Sequence, residues 1–148
     1  MPEYPEVVIY VERLRDFVQG QRLEQVRIGH PFVLRTAEPP ITTIEGMVLQ
    51  GVARLGKRII FEFEDAIYLV LHLMIAGRLT WHPRGKALPK RRGLAALDFE
   101  NGTLFLTESS TQKRASLHLV RGAEALDAFD RGGLEVMEAS LEAFAAAG

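Results

Sequence analysis

The chain has 148 residues, 47% hydrophobic and 25% charged, with a formal net charge of −1, which fits one domain large enough to bury a core of its own. It holds no cysteine, excluding disulfides and any cysteine-ligated zinc site, and its four histidines (His30, His72, His82, His118) show no metal-ligand spacing. No apolar run approaches the roughly 20 residues of a membrane span and no signal-peptide pattern opens the chain, so a cytoplasmic setting is expected.

The chain opens Met1-Pro2-Glu3-Tyr4-Pro5-Glu6-Val7, and two readings of that start stand side by side. Proline near a first helical turn followed by glutamate is ordinary helix N-terminal chemistry. With Met1 removed, Pro2 is also a free secondary amine beside the Glu3 carboxylate. An α-amino group has a pKa of roughly 7.7–8.0, so a fraction is neutral at pH 7 and can attack a carbonyl-like carbon to give an iminium. Glu3 would then be the proton shuttle.

Val7, Val11, Leu14 and Val18 recur at helical spacing and predict a helix over about Pro5–Val18, ended by Gly20. After Gly20 the period falls to two. Strands are predicted over Leu23–Leu34, Ile44–Ala53, Arg58–Phe63, Ile67–Leu73, Gly77–Trp81, Leu94–Phe99 and Thr103–Thr107, with Leu117–Val120 as one more. Glu45-Gly46, Glu64-Asp65-Ala66 and Glu100-Asn101-Gly102 mark turns between them, the Asn-Gly pair most strongly. Regular short strands point to a sandwich or barrel. Trp81–Arg92, rich in Pro, Gly, Lys and Arg, reads as a long exposed loop. Gly122–Asp130 and Leu141–Ala147, the latter capped by Ser140, read as helices. The Ala-rich end reads as a fragment boundary rather than a domain end.

Charge is unevenly distributed. Arg54, Lys57, Arg58, Arg78, Arg84, Lys86, Lys90, Arg91 and Arg92 face only Glu62, Glu64 and Asp65 between positions 54 and 92, nine against three, or +6. From Ala123 to Gly148 six acids face Arg131 alone, or −5. One electropositive face and an acidic end follow.

Three segments could carry chemistry. In Arg54-Leu55-Gly56-Lys57-Arg58 a strand–turn–strand junction projects two cations, suited to a phosphate or equally to a plain hairpin tip. In His72-Leu73-Met74-Ile75-Ala76-Gly77-Arg78-Leu79, His72 is either a phosphate donor or a structural histidine. Met74 and Ile75 there are either core or fillers of the gap left by an extruded base. In Ser109-Ser110-Thr111-Gln112-Lys113-Arg114 hydroxyls and cations suit phosphate contact or a solvated loop. No nucleophilic triad, phosphate loop or dinucleotide fingerprint is present.

Taken together these residues resemble the formamidopyrimidine-DNA glycosylase / endonuclease VIII family of base-excision repair enzymes. Met1–Val7 matches the family opening, Met-Pro-Glu-(variable)-Pro-Glu-Val, in full. Gly20, Arg54–Lys57 and His72-Leu73…Gly77-Arg78-Leu79 match in order and spacing, and Gly133-Leu134-Glu135 resembles the Gly-Pro-Glu segment that closes the family's N-terminal domain. The resemblance implies an α+β, mostly β fold: an antiparallel β-sandwich flanked by an N-terminal helix and C-terminal helices, one N-terminal catalytic domain over 1–148. It implies a bifunctional glycosylase/AP lyase in which Pro2 attacks C1′ of an oxidised nucleotide, Glu3 relays protons and Glu6 supports the sugar or a water. Lys57 joins the catalytic set and, with Arg58, His72, Arg78, Lys113 and Arg114, binds DNA, while Met74 and Ile75 fill the void.

The implied partner is damaged double-stranded DNA, met by a monomer away from any membrane. No cofactor is expected in this chain, the family's helix–two-turn–helix and zinc finger being absent from it. Two departures stand out. The family's wedge loop, Asp-Pro-Arg-Arg-Phe-Gly, is here Glu108-Ser109-Ser110-Thr111-Gln112-Lys113-Arg114, without Pro or Phe. The family methionine after His-Leu-Gly falls on Ile75, with Met74 before it. Those departures keep open a catalytically impaired DNA-binding or lesion-sensing domain, or a protein-interaction module, on the same scaffold.

Overall fold

The computed structural model describes residues 4–74, 76–109 and 114–127, with side chains from residue 7 onward. A helix, α1 (Tyr4–Phe17), precedes eight strands: β1 (Leu23–Ile28), β2 (Gly51–Leu55), β3 (Arg58–Glu62), β4 (Ile67–His72), β5 (Gly77–His82), β6 (Gly93–Phe99), β7 (Gly102–Glu108) and β8 (Ser116–Arg121). They form two four-stranded sheets, ordered β1-β6-β7-β5 and β2-β3-β4-β8, with every ladder antiparallel. Residues 123–127 form a short helical turn after β8.

The apolar stripe of α1 explains its place. Val7, Val11, Leu14 and Val18 are at most 5% exposed and join the core between the sheets, whereas Val8 and Ile9 face outward. Each buried aliphatic side chain contributes about 1.5–3 kcal/mol of hydrophobic stabilisation. Three polar ties fix the helix further. Arg15 Nε donates to the Val52 carbonyl at 2.8 Å, Gly20 N–H to the Leu49 carbonyl at 2.8 Å, and Asn101 Nδ2 to the Phe17 carbonyl at 2.8 Å. Phe17 also stacks on Trp81, with centroids 5.5 Å apart and planes at 5°.

Strand alternation divides the second sheet into two faces. Ile59, Phe61, Leu69, Leu71, Leu117 and Leu119 point into the main core. Leu55, Ile60, Tyr68 and Val70 point the other way and are covered by Leu126 from the 123–127 turn. Arg58, His72, Ser116 and His118 share that outer face by register.

Four expected boundaries shift. The strand read over Leu23–Leu34 stops at Ile28, because Pro31 has no N–H to give a ladder and instead opens a 3-10 turn, Pro31–Val33. The strand read over Ile44–Ala53 begins only at Gly51; Ile41–Ile44 is 3-10 helix and Gly46 turns the chain with φ 91. Trp81 closes the strand read over Gly77–Trp81 as expected, and His82 extends β5 by one residue into the stretch expected as loop. In the β6–β7 hairpin Phe99 pairs with Gly102, so Glu100-Asn101 are the turn residues and Gly102 is already strand. There Gly102 serves packing, since a Cβ would land in the Trp81 indole. The helix expected over Gly122–Asp130 is present at residues 123–127; its remainder and the helix expected over Leu141–Ala147 lie outside the described residues.

Candidate functional site

The register of the second sheet lines up one row of residues at one end. Leu55 of β2 faces Arg58 of β3, Arg58 faces His72 of β4, and His72 faces Ser116 of β8. Gly56 and Lys57 form the two-residue turn between β2 and β3. Gly56 takes φ 64 at the first central position, which a side-chain-free residue adopts at little cost. The half-buried Lys57 stands at the tip, and Arg54 Nη1 reaches back to the Gly56 carbonyl at 3.2 Å. The expected cations Lys57 and Arg58 are therefore brought together with His72.

α1 runs antiparallel to β2 toward this same end. Gly20 bonds Leu49 and Arg15 bonds Val52, so the helix rises along the strand as its numbers fall. From Arg15 back to Tyr4 is about 16 Å at about 1.5 Å per residue; from Val52 on to Lys57 is about the same at about 3.3 Å per residue. The N-terminal turn of α1 thus reaches the level of the Lys57 tip. Pro2, Glu3, Ile75 and Lys113 lie outside the described residues, and so does the side chain of Glu6.

Electrostatics at the row favour a neutral imidazole. Burial first, and then the charges of Arg58, Lys57 and His118, lower the His72 pKa to about 4. His118, two residue pairs along β8 on the same face, has its pKa lowered by burial and by Arg35 and Arg58. Arg35 is held beside β8 by its N–H to the Leu117 carbonyl at 2.9 Å, and Leu119 N–H donates to Thr36 Oγ1 at 2.9 Å. Arg35 thus joins the cationic face, with His118 beside it as a second imidazole kept toward its neutral form. No local pattern marks either residue, because His118 is placed by the β4–β8 pairing and Arg35 by the bridge of Leu34 to Leu117.

The turn after β4 carries Met74 with φ 57, and its N–H donates to His72 Nδ1 at 3.1 Å. Gly77 N–H closes the turn on the Leu73 carbonyl at 2.9 Å, and a Cβ at Gly77 would strike that carbonyl. Arg78 follows on β5, exposed, with Nη1 on the Gly77 carbonyl at 2.7 Å. Opposite Gly77 stands Glu108, 3% exposed. Its carboxylate accepts the N–H groups of Arg114 at 2.8 Å and Ala115 at 2.9 Å. Glu108 therefore fixes the backbone of Arg114 and Ala115, a role no spacing rule announces.

The basic loop after β5 is anchored rather than free. Asp98 takes both Arg27 Nε and Nη2, at 2.8 and 2.9 Å, and Thr103 Oγ1 at 2.6 Å. Arg27 Nη2 also donates to the Lys86 carbonyl at 2.7 Å, and Gly85 N–H to Thr103 Oγ1 at 2.8 Å. Among the described residues no three His, Asp or Glu side chains cluster so as to hold a metal ion, and no helix is long and apolar enough to cross a membrane.

Comparison with known proteins agrees with this arrangement. The family model of the formamidopyrimidine-DNA glycosylase N-terminal domain matches residues 1–119. The chain is 26% identical over 144 residues to a formamidopyrimidine-DNA glycosylase of Mycoplasma genitalium, covering 96% of this chain and 50% of that protein. It is 28% identical over 151 residues to one of Desulfitobacterium hafniense, covering 99% and 53%. The chain thus spans about half the length of the curated relatives it matches. Its fold resembles that of Lactococcus lactis Fpg solved with abasic-site DNA, with TM-score 0.78, 24% identity, and 88% of this chain against 48% of that one. It likewise resembles MutM solved with carbocyclic 8-oxo-G DNA, with TM-score 0.77, 25% identity, and coverage of 86% and 47%. The two antiparallel sheets with α1 packed on them, and the family match over residues 1–119, make this chain a member of the formamidopyrimidine-DNA glycosylase N-terminal domain family.

Proposed function

We propose that the chain is the catalytic N-terminal part of a bifunctional DNA glycosylase/AP lyase acting on oxidised bases in double-stranded DNA. The observation that carries this reading is the course of α1. Its first described turn, from Tyr4, reaches the level of Lys57, beside Arg58 and His72. A nucleophilic amine and a set of phosphate-binding groups would then share one end of the sandwich.

After removal of Met1, the Pro2 nitrogen lone pair attacks C1′ of the flipped nucleotide. The C1′–N bond to the base breaks, its electron pair leaves with the base, and Glu3 supplies a proton on the departing side. Glu3 then passes the Pro2 N–H proton to O4′ as the C1′–O4′ bond breaks, which opens the sugar ring and gives the C1′=N iminium that acidifies C2′. Loss of the C2′ proton and expulsion of the 3′ phosphate is β-elimination; a second elimination expels the 5′ phosphate, and water then releases the sugar fragment from Pro2. Glu6 supports the sugar or a water. Lys57, Arg58 and His72 take phosphates, Arg78, Lys113 and Arg114 continue that contact, and Met74 with Ile75 fills the vacated stack, whose opening costs about a few kcal/mol. The setting is the bacterial cytoplasm, the chain acts as a monomer, and no step draws on a cofactor.

A second reading, a lesion-binding domain without turnover, is favoured by one observation: the 108–114 segment lacks the Pro and Phe of the family wedge. Borohydride reduction on an abasic-site duplex separates the two. The lyase reading expects a covalent adduct with Met1-processed protein that Pro2→Gly abolishes; salt-dependent binding with no adduct supports the second.

A further inference from the structure

The Met74 turn determines how His72 meets its ligand. An imidazole nitrogen that accepts an N–H carries no proton, so the Met74 amide on Nδ1 leaves the single proton of the neutral ring on Nε2. The amide reaches Nδ1 because Met74 takes left-handed backbone, φ 57, a conformation held by Gly77 closing on Leu73. We propose that Met74 is a positioning residue whose amide holds His72 as a neutral Nε2–H donor toward a DNA phosphate, so that His72 directs the backbone without adding charge. The phosphate half of this inference rests on the glycosylase reading above; the tautomer half does not.

The groups around the ring support it. Arg58 faces His72 from β3 and Ser116 from β8, while Lys57 stands at the adjoining hairpin tip and His118 two pairs along β8. Protonating Nδ1 would aim an N–H at the Met74 N–H and add a third positive charge beside Arg58 and Lys57. The cations thus provide attraction to phosphate, and the imidazole provides a directed hydrogen bond. Because Met74 is also a candidate void filler, displacement of its backbone during base extrusion would be felt at His72.

The test uses the full chain uniformly labelled with ¹⁵N. The expected result is a His72 Nε2–H tautomer from pH 8 to 5.5, with through-hydrogen-bond coupling from Nδ1 to the Met74 amide nitrogen. Met74→Gly keeps the amide and retains both. A His72 Nδ1–H tautomer, or a His72 midpoint near 6.5, overturns the proposal. On abasic DNA, His72→Gln, which sets an amide N–H near the Nε2 position, keeps affinity within about threefold and leaves the salt slope unchanged, while His72→Ala loses about tenfold. A slope that falls by about one unit in His72→Gln means that His72 binds as a cation and also overturns the proposal. An Nε2–H tautomer in a chain that never traps DNA contradicts the glycosylase reading, not the orientation of His72.

Discussion

Arg58 and His72 stand directly opposite one another in the β3–β4 ladder. A guanidinium and an imidazole side by side on the same face would repel if both were charged; burial and the Arg58 charge resolve this by keeping His72 neutral. The pair supplies one permanent cation and one uncharged donor within a single row.

Stability should carry the signature of that neutrality. Unfolded, His72 takes its proton near 6.5; folded, near 4. Between these values the unfolded state binds more protons, so stability is fully present above pH 6.5 and falls as pH drops toward 4. His118 contributes in the same direction. Urea midpoints measured from pH 7.5 to 4 should decline across this window, and His72→Gln should flatten the decline. A midpoint independent of pH there contradicts the burial of a neutral His72.

Asp98, 6% exposed, is the hub between Arg27 and Thr103. Asp98→Ala leaves the partly exposed guanidinium and a buried hydroxyl without their acceptor, and should cost about 2–4 kcal/mol. Because Arg27 and Thr103 also hold Lys86 and Gly85, the same variant should be cut faster by trypsin at the 84–92 basic loop. Unchanged denaturation and unchanged cleavage would show that the network is not an anchor.

The single tryptophan reports on how α1 is seated. Gly102→Ala places a methyl group where the Trp81 indole lies and disturbs its stack on Phe17. Overpacking of this kind costs about 1–3 kcal/mol. Trp81 fluorescence should shift in the folded state, with a lower unfolding midpoint. An unshifted spectrum at full stability would place the indole elsewhere.

Lys57 is predicted to act through charge. Lys57→Ala should reduce the slope of log affinity for duplex DNA against log salt by about one unit. As a hairpin-tip substitution it should change stability by no more than about 0.5 kcal/mol. A salt slope equal to that of the unsubstituted chain would remove Lys57 from the phosphate contacts.

Much of this was readable from local pattern. The stripe Val7, Val11, Leu14 and Val18 is the buried face of α1, and alternation located most of the strands within a residue or two. It failed over Leu23–Leu34 and Ile44–Ala53, where apolar residues continue past the ladder. Val33 and Ile44 are buried through 3-10 turns, so burial there does not report strand. Gly56-Lys57 was legible as a turn with a cation at its tip. The protonation state of His72 was not, because it depends on the φ of Met74 two residues on and on cations from β2–β3. Glu108 was equally hidden: an acid at a strand end looks solvated until its carboxylate is seen gathering the Arg114 and Ala115 amides.

The most direct measurement is the intact mass of the chain after borohydride reduction on an abasic-site duplex, taken for protein beginning at Pro2 and for protein retaining Met1. The expected result is a one-to-one covalent protein–DNA adduct, mapped by peptide mass to the N-terminal residue, from the Pro2 form alone. No adduct from the Pro2 form, or an adduct mapped to Lys57 or formed equally well with Met1 in place, would contradict it.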